Sequence, residues 1–214
     1  MKDTHRIKSI IKNLHEKYPK AKTSLSHRNA IEMLIATILS AQCTDDRVNL
    51  VTGQLFKKYL TARDFANADI DKLQQEIRST GFYKNKAKNI INCCKILLEK
   101  YHGKVPDAIG ELISLPGVGR KTANVVLGNI FDKAEGLVVD THVKRLSYRM
   151  GLTKNKNPEK IEMDLMKITP KKDWIFFSHA LIWHGRKICN ARKPLCSSCS
   201  LKGICPRLGV RIYV

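Results

Sequence analysis

The 214-residue sequence predicts an all-α protein. Apolar residues recur at three- and four-residue spacing along most of the chain, and the only β-like run, GLVVD at 136–140, is short enough that it need not be a strand. In the middle of the chain, LPGVGRKT at 115–122 reads as one helix running into a tight glycine turn and a second helix leaving it.

The elements follow in order. Ile31, Leu34, Ile35, Ile38 and Leu39 form one apolar stripe, and Val48, Val51, Leu55 and Tyr59 the next, with Thr44 as N-cap ahead of Asp45 and Asp46. Leu73 and Ile77 belong to a shorter helix stopped at Gly81, and Ala87, Ile90, Ile91, Cys94, Leu98 and Tyr101 define a long one ending before Gly103. Asp107 to Leu115 carries helical spacing through Ile109, Leu112 and Ile113, and beyond the glycine turn Ala123, Val126, Leu127 and Ile130 repeat at the same period. Val143, Leu146 and Met150 form a stripe behind VVDTH. Asn157 caps and Pro158 opens a helix containing Ile161, Leu165 and Ile168, and Trp174, Phe177 and Leu181 line another that is expected to stop at Gly185. Connections are short, without repeats, low-complexity segments or flexible linkers, which favours a compact helical protein.

Charge narrows the function. Lys plus Arg number 39 against 19 Asp plus Glu, a formal net charge of +20. Such an excess suits a polyanion, because neutralising phosphates releases condensed counterions, so nucleic acid is the leading partner ahead of a lysine-rich surface or an anionic membrane. No apolar run approaches the roughly 20 residues of a membrane span. The first twenty residues alternate charge with Ile and Leu and lack a signal-peptide apolar segment, so a cytoplasmic, nucleoid-associated protein is expected.

The glycine turn is not a nucleotide-binding phosphate loop, since Arg120 separates Gly119 from Lys121 and a helix rather than a strand precedes it. It is expected to present the N–H groups of Gly117, Val118 and Gly119 ahead of a helix N-terminus, where one phosphate of a nucleic-acid backbone fits. A plain interhelical turn is the alternative. Lys121 falls in the first turn of the following helix, where the dipole and neighbouring Arg120 both disfavour a cation and so favour a nucleophilic amine; a phosphate contact is the simpler role. Asp140 stands directly before the 143–150 stripe as an N-cap, and a rigid capping carboxylate also suits a transition-state stabiliser.

Seven cysteines divide by position. Cys43, Cys93 and Cys94 lie inside helical patterns and read as small buried hydrophobes. Cys189, Cys196, Cys199 and Cys205 form C-x6-C-x2-C-x5-C within seventeen residues, in a segment with too few large apolar residues to hold a shape by packing. Four close thiolates bind zinc or an iron-sulfur cluster; a disulfide framework does not suit a chain without a secretory signal. One C-x-x-C pair with two outlying cysteines leans towards iron and sulfur, and spacing leaves zinc open.

LPGVGRKTANVV, then VVDTHV, then the cysteine pattern resembles the endonuclease III family of bifunctional DNA glycosylases, in the helix-hairpin-helix superfamily. LSAQCTD at 39–45, GFYKNKAKNI at 81–90 and WHGRKIC at 183–189 resemble further family segments in the expected order. The resemblance implies two lobes: a helical barrel over residues 23–134 that contains the helix-hairpin-helix at about 108–131, and an iron-sulfur lobe formed by residues 1–22 with 135–214. It implies base-excision repair of oxidised or otherwise damaged pyrimidines in double-stranded DNA, by a monomer that also acts at abasic sites. Lys121 would attack C1′ of a flipped-out nucleotide, Asp140 would activate it or stabilise charge on the sugar, and β-elimination would follow. Gln42 would fill the gap left by the flipped base and Phe82 would wedge the opposite strand, where leucine is usual in the family. Gly117, Val118, Gly119 and Arg120 would hold DNA, and Cys189, Cys196, Cys199 and Cys205 a 4Fe-4S cluster. A monofunctional adenine glycosylase would lack the lysine and typically carries a further C-terminal domain. A non-catalytic basic DNA-binding module is the reading from another class.

Overall fold

The computed structural model describes residues 3–214, which form eleven α-helices and two short 3-10 turns, with no strand among the described residues. GLVVD is irregular, and its Leu137, Val138 and Val139 are buried while the Val138 amide donates to the Ser178 hydroxyl. The chain divides into two compact units, Ser24–Lys133 and Met1–Thr23 with Ala134–Val214.

In the continuous unit, α2 (Ala30–Leu39) is apolar on all sides. Nine of its ten residues are buried, so it forms the centre on which α3 (Asp45–Lys58), α6 (Tyr83–Tyr101) and α8 (Arg120–Ile130) pack. Of its two buried polar residues, Thr37 donates to the Met33 carbonyl, and Glu32 accepts from the Arg28 guanidinium at 2.5 Å and from the Arg28 backbone N–H at 2.7 Å. Two short helices, α4 (Ala62–Ala66) and α5 (Ile70–Glu76), close over α6. The sequence pattern does not reveal α4, which is five residues held by a Thr61/Asp64 capping box. The expected stop at Gly81 takes the form of α5 ending at Glu76 and a 3-10 turn, Arg78–Thr80, running into Gly81. Cys93 and Cys94 are buried in this core, burial pushing the Cys93 thiol up to about 12. Cys43 departs from expectation: it lies in the turn between α2 and α3, not in a helix. Ser40, Ala41 and Gln42 turn the chain after α2, and Thr44 then caps α3 by accepting from the Arg47 N–H.

In the discontinuous unit, Ile7, Ile10, Ile11 and Leu14 of α1 (Asp3–Lys17) form the buried stripe of an amphipathic helix. That stripe shares a core with α9 (Thr141–Arg149), α10 (Pro158–Ile168) and α11 (Trp174–Lys187). Asn157 caps α10 and Pro158 opens it, as the sequence indicates. Gly185 does not stop α11, which continues to Lys187. It is glycine because α9 presses on it: a Cβ there would lie 2.8 Å from His142 Nδ1 and 3.0 Å from His142 Cβ. The residue is a close-approach site inside a helix, and nothing in a single sequence separates that role from a terminator.

Candidate active site

The glycine turn is built as follows. Helix α7 (Ile109–Ile113) is shorter than the 107–115 stretch with helical spacing, because the Leu115 N–H turns back to the Leu112 carbonyl at 3.1 Å and starts the turn. Gly117 has φ +78°, and a Cβ on it would stand 3.0 Å from Asn89 Cβ of α6, so both backbone conformation and the neighbouring helix require glycine. Gly119 has nothing within 4 Å of a Cβ position and is exposed, an open approach to the backbone at the start of α8. Val118 differs from expectation. Its N–H donates to the Leu115 carbonyl at 3.1 Å and its side chain is buried, so it anchors the turn from inside.

Gly119 is the N-cap of α8, Arg120 its first residue and Lys121 its second. Both basic side chains are exposed, beside the positive end of the helix. An amine there is accessible and is not buried in an ion pair, as a nucleophile requires.

Two further tips belong to the same unit. Gln42 and Phe82 are exposed, and both are non-glycine residues in the left-handed region, at φ 52° and 49°. Phe82 is 61% exposed, an unusual place for a large ring, and is the N-cap of α6 without a side-chain capping bond. Beneath them, the Lys86 ammonium donates to the Leu39 and Thr80 carbonyls at 2.7 and 2.8 Å. No motif in the sequence marks Lys86. Its signal is phase, because it falls four residues before Ile90 on the buried stripe of α6.

In the other unit, Asp140 caps α9: its Oδ1 accepts from the Val143 N–H at 2.7 Å and its backbone carbonyl accepts from the Lys144 N–H at 2.9 Å. Half-buried His142 follows. Burial holds its imidazole below the usual histidine range, helped by Arg145 and Arg186 and opposed by Asp140. Arg145 spans the packed helices by donating to the Gly185 carbonyl at 2.9 Å and to the Cys189 carbonyl at 3.0 Å.

Cys189, Cys196, Cys199 and Cys205 all line one pocket, together with Ile188, Leu195 and Leu201. Among the described residues no three His, Cys, Asp or Glu side chains are grouped as ligands of a single metal ion. Burial, then Cys189, push the Cys196 thiol up against Arg207 and Arg149; burial likewise raises the Cys199 and Cys205 thiols, opposed by backbone hydrogen bonds at Leu201 and Arg207 and helped by the neighbouring thiols. Side chains that the spacing did not mark hold the loop. Buried Arg149 donates to the Asn190 and Ala191 carbonyls, each at 2.7 Å, and to Cys189 Sγ at 3.3 Å. His184 Nε2 lies 3.5 Å from Cys199 Sγ, and its Nδ1 lies 3.0 Å from the Tyr18 hydroxyl.

The geometry has close counterparts. The description HhH-GPD superfamily base excision DNA repair protein fits residues 35–171. Endonuclease III of Synechocystis sp. is 51% identical over 201 residues, covering 94% of this chain and 92% of the relative. Two solved structures, a non-covalent endonuclease III–DNA complex and a trapped endonuclease III–DNA covalent intermediate, match with TM-score 0.91 at 44% identity, each over 97% of both chains. On this extent of likeness in sequence and fold, the chain belongs to the endonuclease III family within the HhH-GPD superfamily of base excision DNA repair proteins.

Proposed function

We propose that this protein is a bifunctional DNA glycosylase and abasic-site lyase of base-excision repair in which Lys121 is the nucleophile. The glycosylase and lyase activity is that of its family, and the trapped covalent relative shows that such chains bond to DNA during the reaction. The observation that carries the assignment is the exposed Lys121 amine at the second position of α8, directly behind the Gly117–Gly119 turn.

The chemistry follows from that placement. Exposed Gly119 and the start of α8 take a phosphate of the DNA backbone, with Arg120 beside them and Val118 fixing the turn. Gln42 occupies the space left by a damaged pyrimidine rotated out of the duplex, and Phe82 stacks between bases of the opposite strand. Lys121 Nζ attacks C1′ and the base departs with the bonding electrons. Opening of the sugar ring gives a Schiff base, loss of a C2′ proton expels the 3′ phosphate, and water releases the lysine. The Asp140 carboxylate, fixed by its cap, stabilises the positive charge that develops on the sugar.

The four cysteines fit a 4Fe-4S cluster: four soft donors line one pocket, and Arg149 and Arg145 brace the loop around it. When bound, the cluster would staple residues 189–205. Purified protein should be brown and carry about four irons per chain; colourless protein with one zinc would remove the cluster and leave the glycosylase assignment. A monomer acting in the cytoplasm on nucleoid DNA completes the reading, with the continuous unit as the helical barrel and the discontinuous unit as the cluster lobe.

Borohydride trapping tests the nucleophile. The wild-type chain should be locked to an oligonucleotide carrying an oxidised pyrimidine, while Lys121→Gln binds that duplex and is not trapped. Crosslinking of Lys121→Gln at the wild-type rate would assign the chemistry to another amine and leave this turn holding phosphate only.

A further inference from the structure

We propose that Lys86 is a positioning residue that clamps the Gln42 and Phe82 tips to one another, so that they engage a damaged duplex as a single unit. The proposal rests on the reading of those two tips given above.

Lys86 is 4% exposed, and both side-chain partners of its ammonium are backbone carbonyls. Each carbonyl ends a helical segment: Leu39 is the last residue of α2, and Thr80 the last of the 3-10 turn. Carbonyls at helix ends lack intrahelical partners and carry the negative end of the dipole, so one cation satisfies two termini that come from distant parts of the sequence. The Lys86 backbone N–H donates to the Phe82 carbonyl at 3.0 Å. One residue thus grips the chain three residues before Gln42, two residues before Phe82, and at Phe82 itself.

The gripped segments are ones that local preference would not fix. Gln42, Gly81 and Phe82 all have positive φ, and non-glycine residues hold that conformation only where surrounding structure imposes it. The site is also a costly place for a lysine. Burial lowers its affinity for the proton, with Cys43 opposing, and it lies in the first turn of α6, where the dipole disfavours a cation. An apolar side chain of similar length would fill the space without that cost but would donate no hydrogen bond. What the ammonium adds is a fixed relation between the two tips.

A double-mutant cycle tests this in the full chain. Gln42→Ala, Phe82→Ala and the pair are compared by fluorescence anisotropy for their preference for a duplex with a tetrahydrofuran abasic analogue over the same duplex undamaged. With Lys86 present, the pair should lose less than the product of the two single losses, by on the order of tenfold. Lys86→Met should lower the preference by a similar factor, abolish the coupling, and leave affinity for undamaged duplex, which follows overall charge, within about twofold. Multiplicative losses with Lys86 present, or a Lys86→Met chain that keeps both preference and coupling, would overturn the clamp. The first arm leaves Lys86 intact, so it decides the matter even if Lys86→Met does not fold. If neither single substitution lowers the preference, the plug-and-wedge reading itself fails and takes the clamp with it; if both lower it independently, that reading stands and only the clamp is lost.

Discussion

Replacing Gly185 by alanine should destabilise the protein, although it puts the best helix former in place of a poor one inside a helix. Propensity favours the change by about 1 kcal/mol. Against that, the new Cβ would stand 2.8 Å from His142 Nδ1, 3.0 Å from His142 Cβ and 3.1 Å from Arg145 Nη2. Nonbonded carbons sit at about 3.5–4.0 Å, and His142 Cβ cannot swing away because it is bonded to the α9 backbone, so α9 must withdraw by roughly half an ångström or more. Overpacking of this kind costs about 1–3 kcal/mol. The displacement also strains the 2.9 Å bond from Arg145 to the Gly185 carbonyl, worth about another 1 kcal/mol. The net effect is a loss of about 1–3 kcal/mol, read by urea denaturation followed by far-UV circular dichroism. Because α9 carries Asp140 at its cap, the single-turnover glycosylase rate should fall as well. Adding His142→Ala removes the contact at Nδ1 but leaves that at Cβ, so it should restore only part of the stability. A Gly185→Ala protein more stable than wild type would show that propensity outweighs the close approach and that this glycine is not set by packing.

The cap can be separated from the charge. Asp140→Asn keeps a side-chain acceptor for the Val143 N–H and should change stability by less than about 0.5 kcal/mol, while slowing base excision by on the order of 100-fold, or about 3 kcal/mol. Asp140→Ala should add a stability loss of about 1 kcal/mol, and equal rates for wild type and Asp140→Asn would dismiss the carboxylate's role in the reaction. Buried His179 is held at about 4 by burial, against an ordinary value of 6.5, so between those limits the unfolded chain binds a proton that the folded chain refuses and stability falls as pH drops. The full span amounts to about 3 kcal/mol, and His179→Gln should flatten the pH dependence of the unfolding free energy by that amount between pH 6.5 and 4; parallel curves would assign the acid sensitivity elsewhere.

What could be read from the sequence divides along a physical line. Periodicity located the helices with a sustained apolar face, and caps whose chemistry is local, Thr44, Asp140 and Asn157, appear where expected. Helix α4 escaped because five residues cannot show a period, although Thr61 and Asp64 carried a capping-box signal. Gly117 and Gly185 look alike as letters. The first is required by a positive φ and a close neighbour, the second by a neighbour alone, and only tertiary contact tells a helix interior from a helix end. Val118 illustrates the same limit, since a tight turn that consumes its middle amide is indistinguishable in sequence from one that offers it.

Several of the residues assigned to chemistry and recognition, unlike the N-cap Asp140, are ones at which local rules are broken. Lys121 places a cation at the positive end of α8, Phe82 exposes an aromatic ring in a left-handed N-cap without a capping bond, and Lys86 buries an ammonium on an apolar stripe. Elsewhere the helices follow propensity, as in α3, which Asp45 and Asp46 open and Lys57 and Lys58 close. A fold can carry a few such exceptions only if the surrounding structure compensates for each, and here the compensation is visible. The Lys86 ammonium meets two helix ends that need donors, and the turn beside Lys121 is locked from within by Val118 and from α6 by Asn89. Rigid support beneath exposed, locally unfavourable groups is what a surface needs if it is to push a base out of a stacked duplex and not yield itself.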